Sequence, residues 1–105
     1  MARSATIDPA SLAAAAHQAV GMLKLLANED RLMLLCQLSQ GEMCVSELEA
    51  TLAIRQPTLS QQLGVLRTEG VVDTRREGKN IFYSVADPDA LKIIALLYRI
   101  YCPKE

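Results

Sequence analysis

The stretch QPTLSQQLGVLRTEG, residues 56–70, sets Leu59, Leu63 and Leu66 four and three residues apart and ends on a glycine. That interval is the repeat of one face of an α-helix. Proline is tolerated in a first helical turn, so the helix is expected to open at Gln56 and Pro57 and to close before Gly70. With the leucines turned inward, Gln61, Gly64 and Thr68 fall on the opposite face and Thr58 and Ser60 on its flanks. This outer face carries no charge and many hydrogen-bonding groups, a surface suited to water or to a polar partner.

The neighbouring residues narrow the choice. SELE, residues 46–49, has the pattern of a capping box, with Ser46 accepting from the backbone while Glu49 reaches back, and predicts a short helix over about 46–53. A tight AIRQ connection joins it to the polar-faced helix, which makes a helix-turn-helix over about 46–69. Next comes VVDTRREGKNIFYSV, two β-prone segments around a turn holding Gly78, which reads as a hairpin or wing over about 71–85. Arg75, Arg76, Lys79 and Asn80 lie near its tip and suit phosphates or a minor groove. Gln pairs bidentately with adenine, and Ser and Thr reach bases or phosphates. The candidate DNA contacts on the helix are therefore Gln56, Thr58, Ser60, Gln61, Gln62 and Arg67.

The rest of the chain supplies a frame. Asp8 and Pro9 precede an Ala-rich helix over about 10–26; Asn28 caps a second helix that Gly41 ends; a last helix covers about 88–101, closed by Pro103. At 105 residues this is one small domain, 1–105, for which dimerisation would supplement a limited core. Half the residues are hydrophobic but only 4% are aromatic, which favours helices packed through Leu and Ala. The expected fold is mainly α with a small β-hairpin, a winged helix-turn-helix. No apolar run approaches a membrane span and SLAAAAHQAV lacks the features of a signal peptide, so a cytoplasmic location with no membrane partner is expected. The net charge is −1, yet residues 55–80 hold five basic against three acidic side chains, the one positive segment.

LANEDRLMLLCQL, EMCVSELEATL, QPTLSQQLGVLRTEGVVDTRREGKNIFYSV and the closing helix together resemble the ArsR family of bacterial winged-helix repressors, in the family's order and over nearly the whole chain. The resemblance implies a homodimer joined mainly through its first and last helices, with each subunit's fourth helix in the major groove of a pseudo-palindromic, double-stranded operator. Arg55 stands where many relatives have a Ser cap, and Gln62 where a His is frequent. The operator sequence is therefore not transferable from a relative.

Three cysteines, Cys36, Cys44 and Cys102, bear on what is sensed. In place of the family's ELCVCDL-like metal site this chain has EMCVSEL, with Ser46 where a second thiol would be, and the last helix has no histidine. His17, the only one, reads as a helix-surface residue, and no cofactor is implied. Cys36 and Cys102, in LMLLCQL and LYRIYCP, resemble the paired cysteines of the persulfide- and redox-sensing, SqrR/BigR/HlyU-like branch of the family. There the resemblance implies that the reduced form binds DNA and represses. Reactive sulfur species or oxidants bridge the two cysteines within one subunit and lower DNA affinity. Three alternatives stay open at this level. One is a metal(loid) site of Cys36, Cys44 and Cys102. Another is an interaction module without DNA binding. The third, a thiol enzyme, is disfavoured: Cys36 is mid-helix, Cys102 is at a helix C-terminus, and no triad, phosphate loop or carboxylate pair is present. Cys44 reads as auxiliary to the pair.

Overall fold

A computed structural model describes residues 7–102, in which five helices and three strands follow one another as α1 (Pro9–Leu26), α2 (Glu29–Leu38), β1 (Met43–Cys44), α3 (Val45–Leu52), α4 (Thr58–Thr68), β2 (Val72–Glu77), β3 (Asn80–Val85) and α5 (Pro88–Tyr101). The winged helix-turn-helix expected from the sequence is the fold observed. Capping explains several boundaries. Asp8 accepts from the Ser11 amide at the start of α1, Asn28 from the Arg31 amide at the start of α2, and Asp87 from the amides of Asp89 and Ala90 at the start of α5. Each cap satisfies donors that the first helical turn leaves without partners. Pro103, expected to stop the last helix, lies outside the described residues.

The core forms where the apolar faces of these helices meet. Leu34, Leu35 and Leu38 of α2, Leu48 of α3, Leu59, Leu63 and Leu66 of α4, and Ala90 and Ile94 of α5 are buried together with Val71 and Val72 at the entry to the hairpin. All three leucines that marked α4 in the sequence point into this core. α1 differs: of its 18 residues only Leu26 is buried, and the helix meets α2 at 92°. The described residues span a body 53 × 34 × 22 Å in extent.

Two boundaries depart from the sequence reading. The cap of α3 is Cys44 and not Ser46; the Cys44 amide donates to Glu47 Oε1 at 3.0 Å, so the reciprocal glutamate is Glu47 and not Glu49. The reason is β1, whose two residues pair antiparallel with Tyr83 and Phe82 of β3 and hold Cys44 extended, φ −89° and ψ 171°, immediately before the helix. The sheet order is β1-β3-β2, so the hairpin is one edge of a three-stranded sheet. α4 begins at Thr58 with Pro57 as its cap; proline brings no side-chain acceptor, and Gln56 Oε1 supplies one to the Ser60 amide at 3.2 Å.

The tight connection of the helix-turn-helix closes on Ala53, which ends α3 in the left-handed conformation, φ 58° and ψ 30°, with its amide on Glu49 O. An L-residue with a Cβ pays roughly 1–2 kcal/mol there, against the roughly 0.5–1 kcal/mol that glycine loses by its freedom in the unfolded chain. Ala53→Gly is therefore expected to leave stability unchanged or to raise it by up to about 1 kcal/mol in urea unfolding. A loss of about 1 kcal/mol, as an ordinary helical Ala→Gly change gives, would contradict this account of the turn.

Candidate functional site

Two groups of side chains stand out on this frame. The first is the outer face of α4 with the wing. Ser60, Gln61, Gly64, Arg67 and Thr68 are exposed on α4, and Thr58 is half-buried at its start. Gln61 has its side chain turned outward, opposite the buried leucines, as their spacing requires. Ser60 Oγ donates to Gln56 Oε1 at 2.6 Å, so these two candidate contacts are held together at the first turn. Gln62 is different: it is half-buried, and its Oε1 accepts from Arg31 Nη1 at 2.9 Å. One residue along a helix turns the side chain by about 100°, which is why Gln61 and Gln62 point to different surroundings.

On the wing, Arg75 and Arg76 are adjacent in β2 and so project to opposite faces of the sheet. Arg75 lies 4.9 Å over the Phe82 ring on β3 and reaches Glu42 next to β1, with Nε at 2.8 Å from Oε1, while Nη1 holds Glu77 at 3.0 Å. Its guanidinium thus crosses the middle strand and clamps the outer strand to β1. Hydrogen bonding to Arg75 holds the Glu42 carboxyl below its ordinary range, so this ion pair persists as pH falls through the usual carboxylate values. Among the described residues Arg67, Arg76 and Lys79 make no salt bridge, and Arg76, Lys79 and Asn80 are exposed toward the tip. The Glu42–Arg75 clamp was not legible in the sequence, because nothing in a two-residue strand 33 residues away announces it.

The second group is the thiols. Cys36, on α2, and Cys102, which caps the end of α5, are both partly buried and free. α2 packs on α5 and brings the two within electrostatic range: burial first, and the charge of Cys102 second, push the Cys36 thiol above its ordinary value. A raised pKa keeps Cys36 in the neutral, less nucleophilic form to higher pH. Cys44 sits elsewhere, buried at the α3 cap with its Sγ 3.3 Å from Ser46 Oγ, in a groove shared with Glu49, Lys79 and Asn80. Among the described residues no three His, Cys, Asp or Glu side chains come close enough to hold a metal ion, so the three-thiol set is not assembled.

A helix-turn-helix, a polar outer helix face, and a wing whose tip carries unpaired basic residues define a winged helix-turn-helix DNA-binding regulator. The chain belongs to the ArsR family: residues 28–74 match the family described as "Bacterial regulatory protein, arsR family", and similarity to individual relatives extends over most of the chain. The biofilm growth-associated repressor of Agrobacterium fabrum is 62% identical over 84 residues, covering 80% of this chain and 72% of that one. The crystal structure of the transcriptional repressor BigR from Xylella fastidiosa superposes with a TM-score of 0.86 at 44% identity, over 93% of this chain and 99% of that one. Reduced HlyU from Vibrio cholerae gives a TM-score of 0.85 at 40% identity, over 89% and 98%.

The electrostatics of the thiol pair give a measurable consequence. In a Cys44→Ser background, the rate of Cys36 alkylation by iodoacetamide, followed by peptide mass, is expected to rise with pH to a midpoint above the ~8.5 of free cysteine. Replacing Cys102 by Ser is expected to lower that midpoint while leaving it above the free value, since burial is the larger cause. A midpoint at or below free cysteine would contradict the geometry.

Proposed function

We propose that this protein is a dithiol-controlled transcriptional repressor, which binds a pseudo-palindromic operator as a reduced homodimer and releases it when Cys36 and Cys102 of one subunit are bridged. What supports the reading is that α2, which carries Cys36, packs on α5, which ends at Cys102, one helix in the core of the DNA-binding domain and the other bearing an uncovered apolar face. Support for repression comes from relatives named as repressors, at 62% identity from Agrobacterium fabrum and 49% from Xylella fastidiosa.

Dimerisation is supported by the surface. Leu12, Val20 and Leu23 on α1 and Leu96, Tyr98, Ile100 and Tyr101 on α5 are all exposed. Apolar surface concentrated on two helices marks an interaction site, and a second copy of the chain is the occupant that would bring two α4 helices to one DNA. On that DNA, Thr58, Ser60, Gln61 and Arg67 take the major groove, and Arg76, Lys79 and Asn80 take phosphates or the minor groove. Gln56 supports Ser60, Gln62 supports the helix from behind, and Arg75 braces the wing. The setting is the cytoplasm, where the thiols start reduced.

The inducer chemistry is thiol–disulfide exchange. A cysteine thiolate attacks a polysulfide, breaks its S–S bond and becomes a persulfide, while the shortened polysulfide leaves. The other thiolate then attacks the inner sulfur of that persulfide, forming the Cys36–Cys102 disulfide and expelling hydrosulfide. If both cysteines are first persulfidated, their condensation gives a trisulfide and hydrogen sulfide. An inserted sulfur lengthens the reach beyond the 4.4–6.8 Å Cα separation that a direct disulfide allows, so the separation of the pair can select the oxidant. Either bridge ties the end of α5 to α2 and shifts the dimer helices relative to α4. Two α4 helices must sit about one DNA turn apart, ~34 Å, so a small shift is enough to disengage them.

A gel shift with polysulfide-treated protein tests this. Wild type and Cys44→Ser are expected to release operator DNA and to rebind after a thiol reductant, while Cys36→Ser and Cys102→Ser each stay bound. Release by both single variants, or blindness of Cys44→Ser alone, would overturn the assignment. Separately, Gln61→Ala is expected to weaken operator binding by roughly 1–3 kcal/mol without loss of the dimer. Unchanged discrimination between operator and random DNA would refute the role of this face.

A further inference from the structure

Arg31 occupies a position that neither the thiol pair nor the DNA face accounts for. It stands in the first turns of α2, half-buried, at the 92° joint between α1 and α2. Its guanidinium donates in three directions: Nε to Leu25 O at 2.6 Å, Nη2 to Lys24 O at 3.2 Å, and Nη1 to Gln62 Oε1 at 2.9 Å. The first two acceptors belong to the last turn of α1, where carbonyls lack the usual i+4 amide; Lys24 O also accepts from the Ala27 cap amide at 3.3 Å. The third is on α4, one residue from the outward-facing Gln61. α1 and α4 each pack on α2, so the fork of Arg31 is a direct polar link between the helix with an uncovered apolar face and the helix with the polar outer face.

We infer that Arg31, acting through Gln62, is a positioning residue that fixes the attitude of α4 relative to α1 and thereby sets the half-site spacing the dimer accepts. The inference rests on the proposed reading of α1 as a dimer helix and α4 as the DNA-reading helix. The physical basis is the shape of the guanidinium. A planar fork with five donors holds three acceptors in fixed mutual directions, whereas a lysine ammonium on a flexible stem does not. Gln62 contributes an acceptor only. A carboxylate at the same place accepts equally well and adds opposite charge, while a leucine of similar size leaves Nη1 without its partner.

These differences define the test. Reduced wild type, Arg31→Lys, Gln62→Leu and Gln62→Glu are compared in two measurements. The first is amide hydrogen exchange of DNA-free protein. Arg31→Lys is expected to speed exchange about tenfold in both the last turn of α1 and α4; Gln62→Leu does so in α4 alone, and Gln62→Glu in neither. The wing and α3 are expected to stay as in wild type. The second is binding to a duplex selected by the wild type from randomised DNA, with its spacing native or changed by one base pair between half-sites. Wild type is expected to reject the altered spacing, and the preference falls about tenfold in Arg31→Lys and Gln62→Leu. Exchange that rises uniformly over the chain, exchange that does not change, failure of Gln62→Glu to keep wild-type exchange in α4, or a spacing preference retained in Gln62→Leu would each overturn the inference. A wild type that enriches no sequence would instead overturn the DNA-reading proposal on which it rests, a result distinct from all of these.

Discussion

Everything in this molecule depends on burying one side of a ten-residue helix. Leu34, Leu35 and Leu38 of α2 are almost completely removed from solvent, and α1, α3, α4, α5 and β3 all pack on that helix. Each such leucine contributes roughly 1.5–3 kcal/mol of burial, so α2 is the element whose loss would leave the others without a shared core. The same helix carries Arg31 in its first turns and Cys36 in its later ones. Polar links are fewer, but unlike burial they have direction. Burial therefore holds the fold together, while the fork of Arg31 and the clamp of Arg75 decide how its parts are aimed.

Much of this was visible in the sequence because it follows local rules. The leucine interval of α4, the Asn28 cap, the start of the last helix at residue 88 and the turn at Gly78 each depend on residues a few positions apart, and each appears where expected. What escaped depends on distant partners. β1 is two residues long and exists only because β3 offers an edge, and its presence moved the α3 cap from Ser46 to Cys44. Gln62 belongs by type to a polar helix face, but Arg31, 31 residues earlier, draws it inward. Arg75, expected with Arg76 and Lys79 to suit phosphates or a minor groove, reaches across the sheet to Glu42 and Glu77. Among the described residues Arg76 and Lys79 are the wing's basic side chains that make no salt bridge.

The placement of the thiols suits a switch better than a catalyst. Cys36 is pushed toward its neutral form by burial, which slows adventitious oxidation and leaves the pair dependent on an electrophile that finds it. A bridge formed there acts on two helices with different duties. α2 anchors the core and, through Arg31, touches α1 and α4; α5 ends at Cys102 with its apolar residues uncovered. In the proposed switch a covalent tie between them would alter the attitude of an outer helix without requiring that the core unfold, as a reversible regulator needs.

The most direct measurement is the operator affinity of a single, defined species. Protein carrying the Cys44→Ser change would be bridged with a polysulfide, purified, and verified by intact mass as either two hydrogens lighter or one sulfur heavier less two hydrogens. Its binding would then be compared with the same protein after reduction. The account predicts that the bridged form remains folded and binds its operator at least about tenfold more weakly, a difference of about 1.4 kcal/mol. A folded, mass-verified bridged form that binds as tightly as the reduced one would contradict it.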